Sequence, residues 1–264
     1  MRELTLYKDL KKFVGSYLDA VGFGLLWECL PLILASWFFF TCLSGASRYL
    51  GPSFFPQVFS KLTPAEKRKM RLTWPHHTVS LVHALIVSIL AFRAIILKEL
   101  PSDPVWGYSE SVMRMVAFSA GYFLWDLKVS IHYWKFYGSA FLMHALMASS
   151  SMVVSFRPYM HYYAPFYLLY EVSTIFVNGH WFLGKMGLEG SRLQLVNDVL
   201  LILAYLVIRI VLGWWISVHA LSVIYQNRAE TSPVMMIIYG GSILLSNCLN
   251  AHWFRKLLLQ AINK

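Results

Sequence analysis

Seven stretches of this chain are apolar for long enough to approach the roughly 20 residues that carry a helix across a bilayer. They cover residues 22–43, 78–97, 111–131, 138–156, 162–183, 195–221 and 233–254. No other feature restricts the fold as strongly. A backbone inside lipid must satisfy its own hydrogen bonds, so runs of this length read as α-helices. Composition agrees: 58% of residues are hydrophobic and 14% charged, where soluble domains carry about a quarter charged. The expected class is an all-α polytopic membrane protein, with an N-terminal helix followed by six more.

The net charge of +10 does not point to nucleic acid. Its Lys and Arg residues flank the apolar runs, which is the pattern that sets membrane topology. Counted outside the spans, thirteen fall on the side of the 44–77 loop and seven on the side of residue 1. The expected orientation is a lumenal N-terminus and a cytosolic C-terminus. Cys29, Cys42 and Cys248 all lie in spans and have neither disulfide nor metal spacing. The first apolar run lacks a small-residue cleavage site and reads as a retained helix. Residues 1–21 read as an amphipathic lead-in on the membrane surface, with Leu6, Leu10, Phe13, Val14 and Tyr17 on one face.

Residues 44–77 read as the longest loop and carry the basic run Lys67-Arg68-Lys69-Met70-Arg71. Pro165 suits the first turn of the fifth span. Gly240-Gly241 in the seventh would allow another helix to approach closely. Trp74, Trp106, Tyr108, Trp134, Trp181 and Trp253 read as an interfacial aromatic belt. His76-His77 reads as an exposed pair beside the basic run.

Polar side chains inside spans are costly and mark partners or cavities. At ~1.5 Å per helical residue, His83, Asp126, His144, Asn178 and Asn250 all fall roughly 6–9 Å from one boundary. A shared depth on five helices suggests a polar chamber open on that side. Glu171 and Arg209 fall near the midplane and are expected to pair. Structural roles compete for each: Asp126 could pair with Lys128 or Lys135, and His83, Asn178 and Asn250 could serve as interhelical hydrogen-bonding groups. No phosphate loop, Gly-x-Ser-x-Gly elbow or di-iron histidine series is present.

Read in order, these pieces resemble a known family. Gly121-Tyr122-Phe123-Leu124-Trp125-Asp126-Leu127 is followed by Tyr133-Trp134-Lys135, His144, and Tyr170-Glu171-Val172-Ser173-Thr174-Ile175-Phe176-Val177-Asn178-Gly179-His180-Trp181. Supporting pieces are Trp74, His83, Asp103-Pro104-Val105-Trp106-Gly107, Arg209 and Leu249-Asn250-Ala251-His252-Trp253-Phe254. This is similar to the TLC domain, named for translocating-chain-associated, longevity-assurance and ceroid-lipofuscinosis proteins. It is closer to the small TLC-domain-containing proteins than to ceramide synthases. The resemblance implies a six-helix barrel around a lipid-sized cavity, preceded by one helix, in the endoplasmic reticulum. The division it suggests is 1–60 for lead-in, first helix and loop, 61–258 for the TLC domain and 259–264 for a basic tail.

The resemblance also implies functions. Ceramide synthases use paired histidines to join an acyl group from acyl-CoA to a sphingoid base. Here His144 matches the first histidine and Ala145 stands at the second, and the family's Asp-rich signature has no counterpart. The first expectation is therefore lipid binding or lipid homeostasis without turnover, with no resident cofactor. His83, Glu171, Asn178, Arg209 and Asn250 would line the site. The alternative is a lipid acyltransferase with acyl-CoA as co-substrate. His144 would be base or acyl carrier, oriented by Asp126, with His83 or Asn178 at the carbonyl. The third is a lipid or ion transporter. Expected partners are membrane lipids, with acyl-CoA and a sphingoid base under the enzymatic reading and a homodimer as one open assembly.

Overall fold

The computed structural model describes residues 13–18 and 20–262. Seven long helices organise it: α1 (Gly24–Phe54), α2 (Pro64–Ile96), α3 (Glu110–His132), α4 (Ser139–Ser155), α5 (Glu171–Lys185), α6 (Arg192–Gln226) and α7 (Pro233–Ile262). No strand occurs among the described residues. α1, α2, α6 and α7 are each long and apolar enough to cross a membrane. The chain is an all-α polytopic integral membrane protein.

Short connections join α3 to α4, α5 to α6 and α6 to α7, and connections of that length make antiparallel neighbours. The lateral packing forms a closed ring. α2 lies against α3, α3 against α4, α4 against α7, α7 against α6, α6 against α5, and α5 against α2. α1 stands outside and packs on α2 and α3. One N-terminal helix beside a six-helix barrel is the architecture the sequence led us to expect.

Local chemistry explains where the helices begin. Thr63 caps α2 in a reciprocal capping box with Glu66, and Pro64 fills the first turn, where a missing N–H costs nothing. Ser109 and Ser191 cap α3 and α6. The 44–77 loop is thereby corrected. α1 continues to Phe54, a short turn of helix spans Pro56–Phe59, and α2 is already helical at Pro64. Apolarity locates the bilayer, whereas caps locate the helix, and here the two differ by several turns. The lead-in expected over 1–21 is helical over 13–18, and residues 1–12 lie outside the described residues.

α1 meets α3 at Gly121. A Cβ there would stand 2.6 Å from the Ile33 carbonyl oxygen and 2.6 Å from Ser36 Cβ. Ser36 Oγ donates to the Phe118 carbonyl at 2.6 Å across the same contact. The expected close approach at Gly240-Gly241 is not made: nothing lies within 4 Å of a Cβ at Gly241, and at Gly240 only Leu221 reaches 3.8 Å. Trp74 is also not interfacial. It is buried among Phe55, Phe59, Trp181 and Phe182, an aromatic cluster that joins the α1–α2 connection to α5.

The two ends of the barrel differ. The α2 start, α5 end and α7 end share the side with the Lys67–Arg71 run, called here the basic end. At the other end Tyr159, Met160, Tyr163, Ile216 and Tyr239 pack together, fully or almost fully buried. Met160 takes a positive φ of 59° and its N–H donates to the Val105 carbonyl at 2.7 Å. This cluster packs the end of the barrel opposite the basic end.

Candidate lipid site

Two adjoining cavities lie inside the barrel. The deeper one has about 720 Å³ of empty space, open space at its edges included, between α4, the α5 entry and α7, with Met147, Ser151, Met152, Leu168 and Ile243 among its walls. Its lining is mostly apolar. The second has about 1040 Å³, mouth included, and is lined by His76, His77, Asp126, Asn178, Tyr205 and Trp253, among others. It reaches the exposed Lys256 and Gln260 at the basic end. His144, Glu171 and Arg209 are the residues common to both cavities. They form the junction between an apolar chamber and a polar one.

Arg209 is 7% exposed and lies in a π-helical stretch, Tyr205–Leu212, in the middle of α6. Such bulges often accompany functional positions. Its Nε donates to the Tyr170 carbonyl at 3.1 Å and to Ser173 Oγ at 2.7 Å. Nη1 donates to Asn250 Oδ1 at 3.2 Å and Nη2 to Thr174 Oγ1 at 3.0 Å. The rings of Tyr170 and Tyr205 flank the guanidinium at 5.5 and 5.2 Å. One side chain thus ties α6 to both α5 and α7.

This corrects the expected Glu171–Arg209 pair. The ion pairs among the described residues are Arg93–Glu99, Arg114–Glu110 and His180–Asp198. Glu171 shares the junction with Arg209 but stays beyond ion-pair distance, because neutral oxygens on α5 and α7 already hold the guanidinium. Depth along a helix is readable from sequence, but direction around it is not, and the π stretch turns α6 further out of register.

Asn178 fastens α5 to α2. Its Oδ1 lies 2.8 Å from His77 Nδ1, and its Nδ2 donates to Ser80 Oγ at 3.1 Å and to the Thr174 carbonyl at 2.9 Å. His77 is stacked on Trp181 at 4.1 Å, and His76 on Tyr137 at 4.8 Å. The reading of His76-His77 as an exposed pair is therefore wrong. Both are partly buried wall residues of the polar chamber. The signal that could have found them is the capping box at Thr63. Once α2 starts there, His76 and Ser80 fall four residues apart on one face.

Asp126 lines the polar chamber, with no hydrogen bond to its carboxylate among the described residues. The alternative pairing with Lys128 is not made, and Lys128 instead sits over the Trp37 ring. His144 projects to the junction, edge-on to Phe123 and Trp253. Among the described residues it has no hydrogen-bonding partner, so the expected orientation of His144 by Asp126 is not formed.

His83 does not belong to the chamber wall. It is fully buried, lies flat against Tyr122 at 3.7 Å and 5°, and has Nε2 3.4 Å from Ser119 Oγ. Tyr122 covers it and takes its place on the wall. Asn250 is almost fully buried and reaches the site through Arg209 and Tyr205. Of the seven residues expected at the site, five line the cavities, Asn250 supports one of them, and His83 lies behind the wall.

Known proteins give the family. The TLC domain family profile matches residues 73–259. An uncharacterized TLC domain-containing protein of Schizosaccharomyces pombe is 32% identical over 94% of this chain and 84% of its own length. Topoisomerase I damage affected protein 4 of Saccharomyces cerevisiae is 29% identical over 72% of this chain and 69% of its own. Human TLC domain-containing protein 4 is 29% identical over 64% of this chain and 68% of its own. No solved structure is significantly similar. With a helix outside a six-helix barrel and the family's profile across most of its length, the chain belongs to the TLC-domain family of integral membrane proteins.

Proposed function

We propose that this protein binds an acyl lipid within its barrel and serves lipid homeostasis. The tail would occupy the apolar chamber, and the headgroup the polar chamber that opens at the basic end. The observation that carries this reading is the junction. His144, Glu171 and Arg209 stand where apolar walls give way to polar ones, as an amphiphile requires. A mostly apolar pocket with a few convergent polar groups is the usual form of a ligand site. The buried packing of Tyr159, Tyr163 and Tyr239 at the far end favours retention over passage and counts against a transporter. The basic end would face the cytosol, by the excess of Lys and Arg on that side, in the endoplasmic reticulum that the family resemblance suggests.

Mass spectrometry of co-purified lipids, on wild type and Ser151→Trp, tests the reading. Ser151 lies on the apolar chamber wall, and the indole would fill it. We expect a bound acyl lipid in the wild type and its loss in the variant, with folding retained. Equal lipid content in both would overturn the assignment of the chamber.

Acyl transfer is a second reading, favoured by the place of His144. The acyl carbonyl of a bound lipid would lie at the junction, beside an imidazole with no protein hydrogen bond among the described residues. A fatty-acyl mass increment on wild-type protein that is absent from His144→Ala would support it. Ala145, where ceramide synthases have a second histidine, keeps it second.

A further inference from the structure

We infer that the headgroup is zwitterionic, with a singly charged oxyanion beside the tail at Arg209 and an amine nearer the basic end at Asp126. This deepens the lipid-binding reading and rests on it.

Arg209 supplies the first observation. Its protein acceptors are all neutral: a backbone carbonyl, two hydroxyls and an amide oxygen. A guanidinium has five N–H groups. The bonds above use Nε–H and one N–H on each Nη, and the Tyr205 side chain also engages the guanidinium, so at least one Nη N–H remains. A hydrogen bond from a guanidinium N–H to a carboxylate or phosphate oxygen is charge-assisted. A buried charge without an opposite charge in contact is costly. Arg209 is also a wall of both chambers, so an anion bound there sits next to the tail.

Asp126 supplies the second. It lines the polar chamber but not the apolar one, roughly two turns from the end of α3, whereas Arg209 is more than four turns into α6. Its carboxylate has no hydrogen bond or ion pair among the described residues. An amine donor would supply one.

Charge balance selects between ligand classes. The polar chamber has two cations, Arg209 and Lys256, and two acids, Asp126 and Glu171. A simple anion or a simple amine would add uncompensated charge to this enclosed space; a zwitterion adds none. Glu171 at the junction further disfavours a doubly charged phosphate monoester. The ligand class is an acyl lipid whose headgroup bears one oxyanion followed by a primary amine, as in lysophosphatidylethanolamine.

The test is competitive native mass spectrometry of the full chain in detergent. The probes share one acyl length: lysophosphatidylethanolamine, O-acylserine, lysophosphatidic acid, free fatty acid and an amine-only sphingoid base. A charge-assisted hydrogen bond of ~1.5–3 kcal/mol corresponds to about tenfold or more, so a zwitterion should exceed the acid-only and amine-only probes by that factor. Which zwitterion leads distinguishes phosphodiester from carboxylate. Asp126→Asn, near-isosteric and losing no protein hydrogen bond, should erase the preference over free fatty acid, the singly charged acid-only probe. Arg209→Gln should weaken every oxyanion probe relative to the amine-only probe. Binding without headgroup preference, or a preference untouched by Asp126→Asn, overturns this inference alone. No amphiphile binding at all overturns the lipid-binding reading with it.

Discussion

Replacing Arg209 with alanine removes four hydrogen bonds from one buried guanidinium, and their partners determine the cost. Ser173 Oγ still donates to the Tyr170 carbonyl at 2.9 Å, so those two acceptors remain engaged. Asn250 keeps only a 3.4 Å contact from Tyr205, and Thr174 loses its donor. The net loss is therefore two interhelical bonds, one to α5 and one to α7. Interhelical hydrogen bonds in membranes average ~0.6 kcal/mol and reach ~1.7, and charged donors roughly double the neutral value. Two such bonds give about 2–3 kcal/mol. Arg209→Lys should recover less than half, since an ammonium cannot span the same fork. Reversible unfolding in mixed micelles, monitored by tryptophan fluorescence, measures this. A double-mutant cycle of Arg209→Ala with Asn250→Ala should show coupling of about 1 kcal/mol. An Arg209→Ala cost within ~0.5 kcal/mol of zero, the size of an ordinary surface substitution, would refute the reasoning that this side chain fastens the barrel.

Gly121→Leu should destabilise by about 1–3 kcal/mol or more through overpacking, because α1 leaves no room for a Cβ, whereas Gly241→Ala should be silent; fluorescence-detected size exclusion after heating separates the two. In the α2 cap, the Thr63 hydroxyl and N–H both donate to the Glu66 carboxylate, and these bonds hold its pKa below the usual carboxylate range. The folded value lies below the unfolded one, so the contribution is complete above the unfolded pKa and lost as pH falls through the folded pKa. Amide exchange in the first turn of α2 should thus differ between wild type and Glu66→Gln at neutral pH and converge in acid; divergence in acid would contradict the cap. Asn178→Ala should release His77 from its 2.8 Å contact and alter the His77 ring resonances while those of His83 stay fixed.

The fold was legible because the bilayer imposes one answer on long apolar runs, and the six-helix ring followed from the family resemblance. The site was legible in depth but not in direction. Asp126, His144, Glu171, Asn178 and Arg209, which lie on the cavity walls, were singled out because polar groups in apolar helices rarely lack a reason. His83 satisfied the same criterion, yet Tyr122 covers its ring. His76 and His77 were misread because the second span was started at residue 78, where apolarity begins, and not at the capping box. The π stretch around Arg209 has no sequence mark, so its partners could not be anticipated. Gly240-Gly241 shows the converse: small residues permit close approach but do not require it.

The central claim is that an acyl chain enters the barrel instead of only surrounding it. A lipid with a photoactivatable diazirine in its tail, crosslinked to the purified protein and mapped by peptide sequencing, tests this most directly. We predict labelling of Met147, Met152 and Ile243 on the apolar chamber wall, abolished by Ser151→Trp. Labelling confined to the outward-facing Leu203, Val207 and Val218, unaffected by Ser151→Trp, would contradict it.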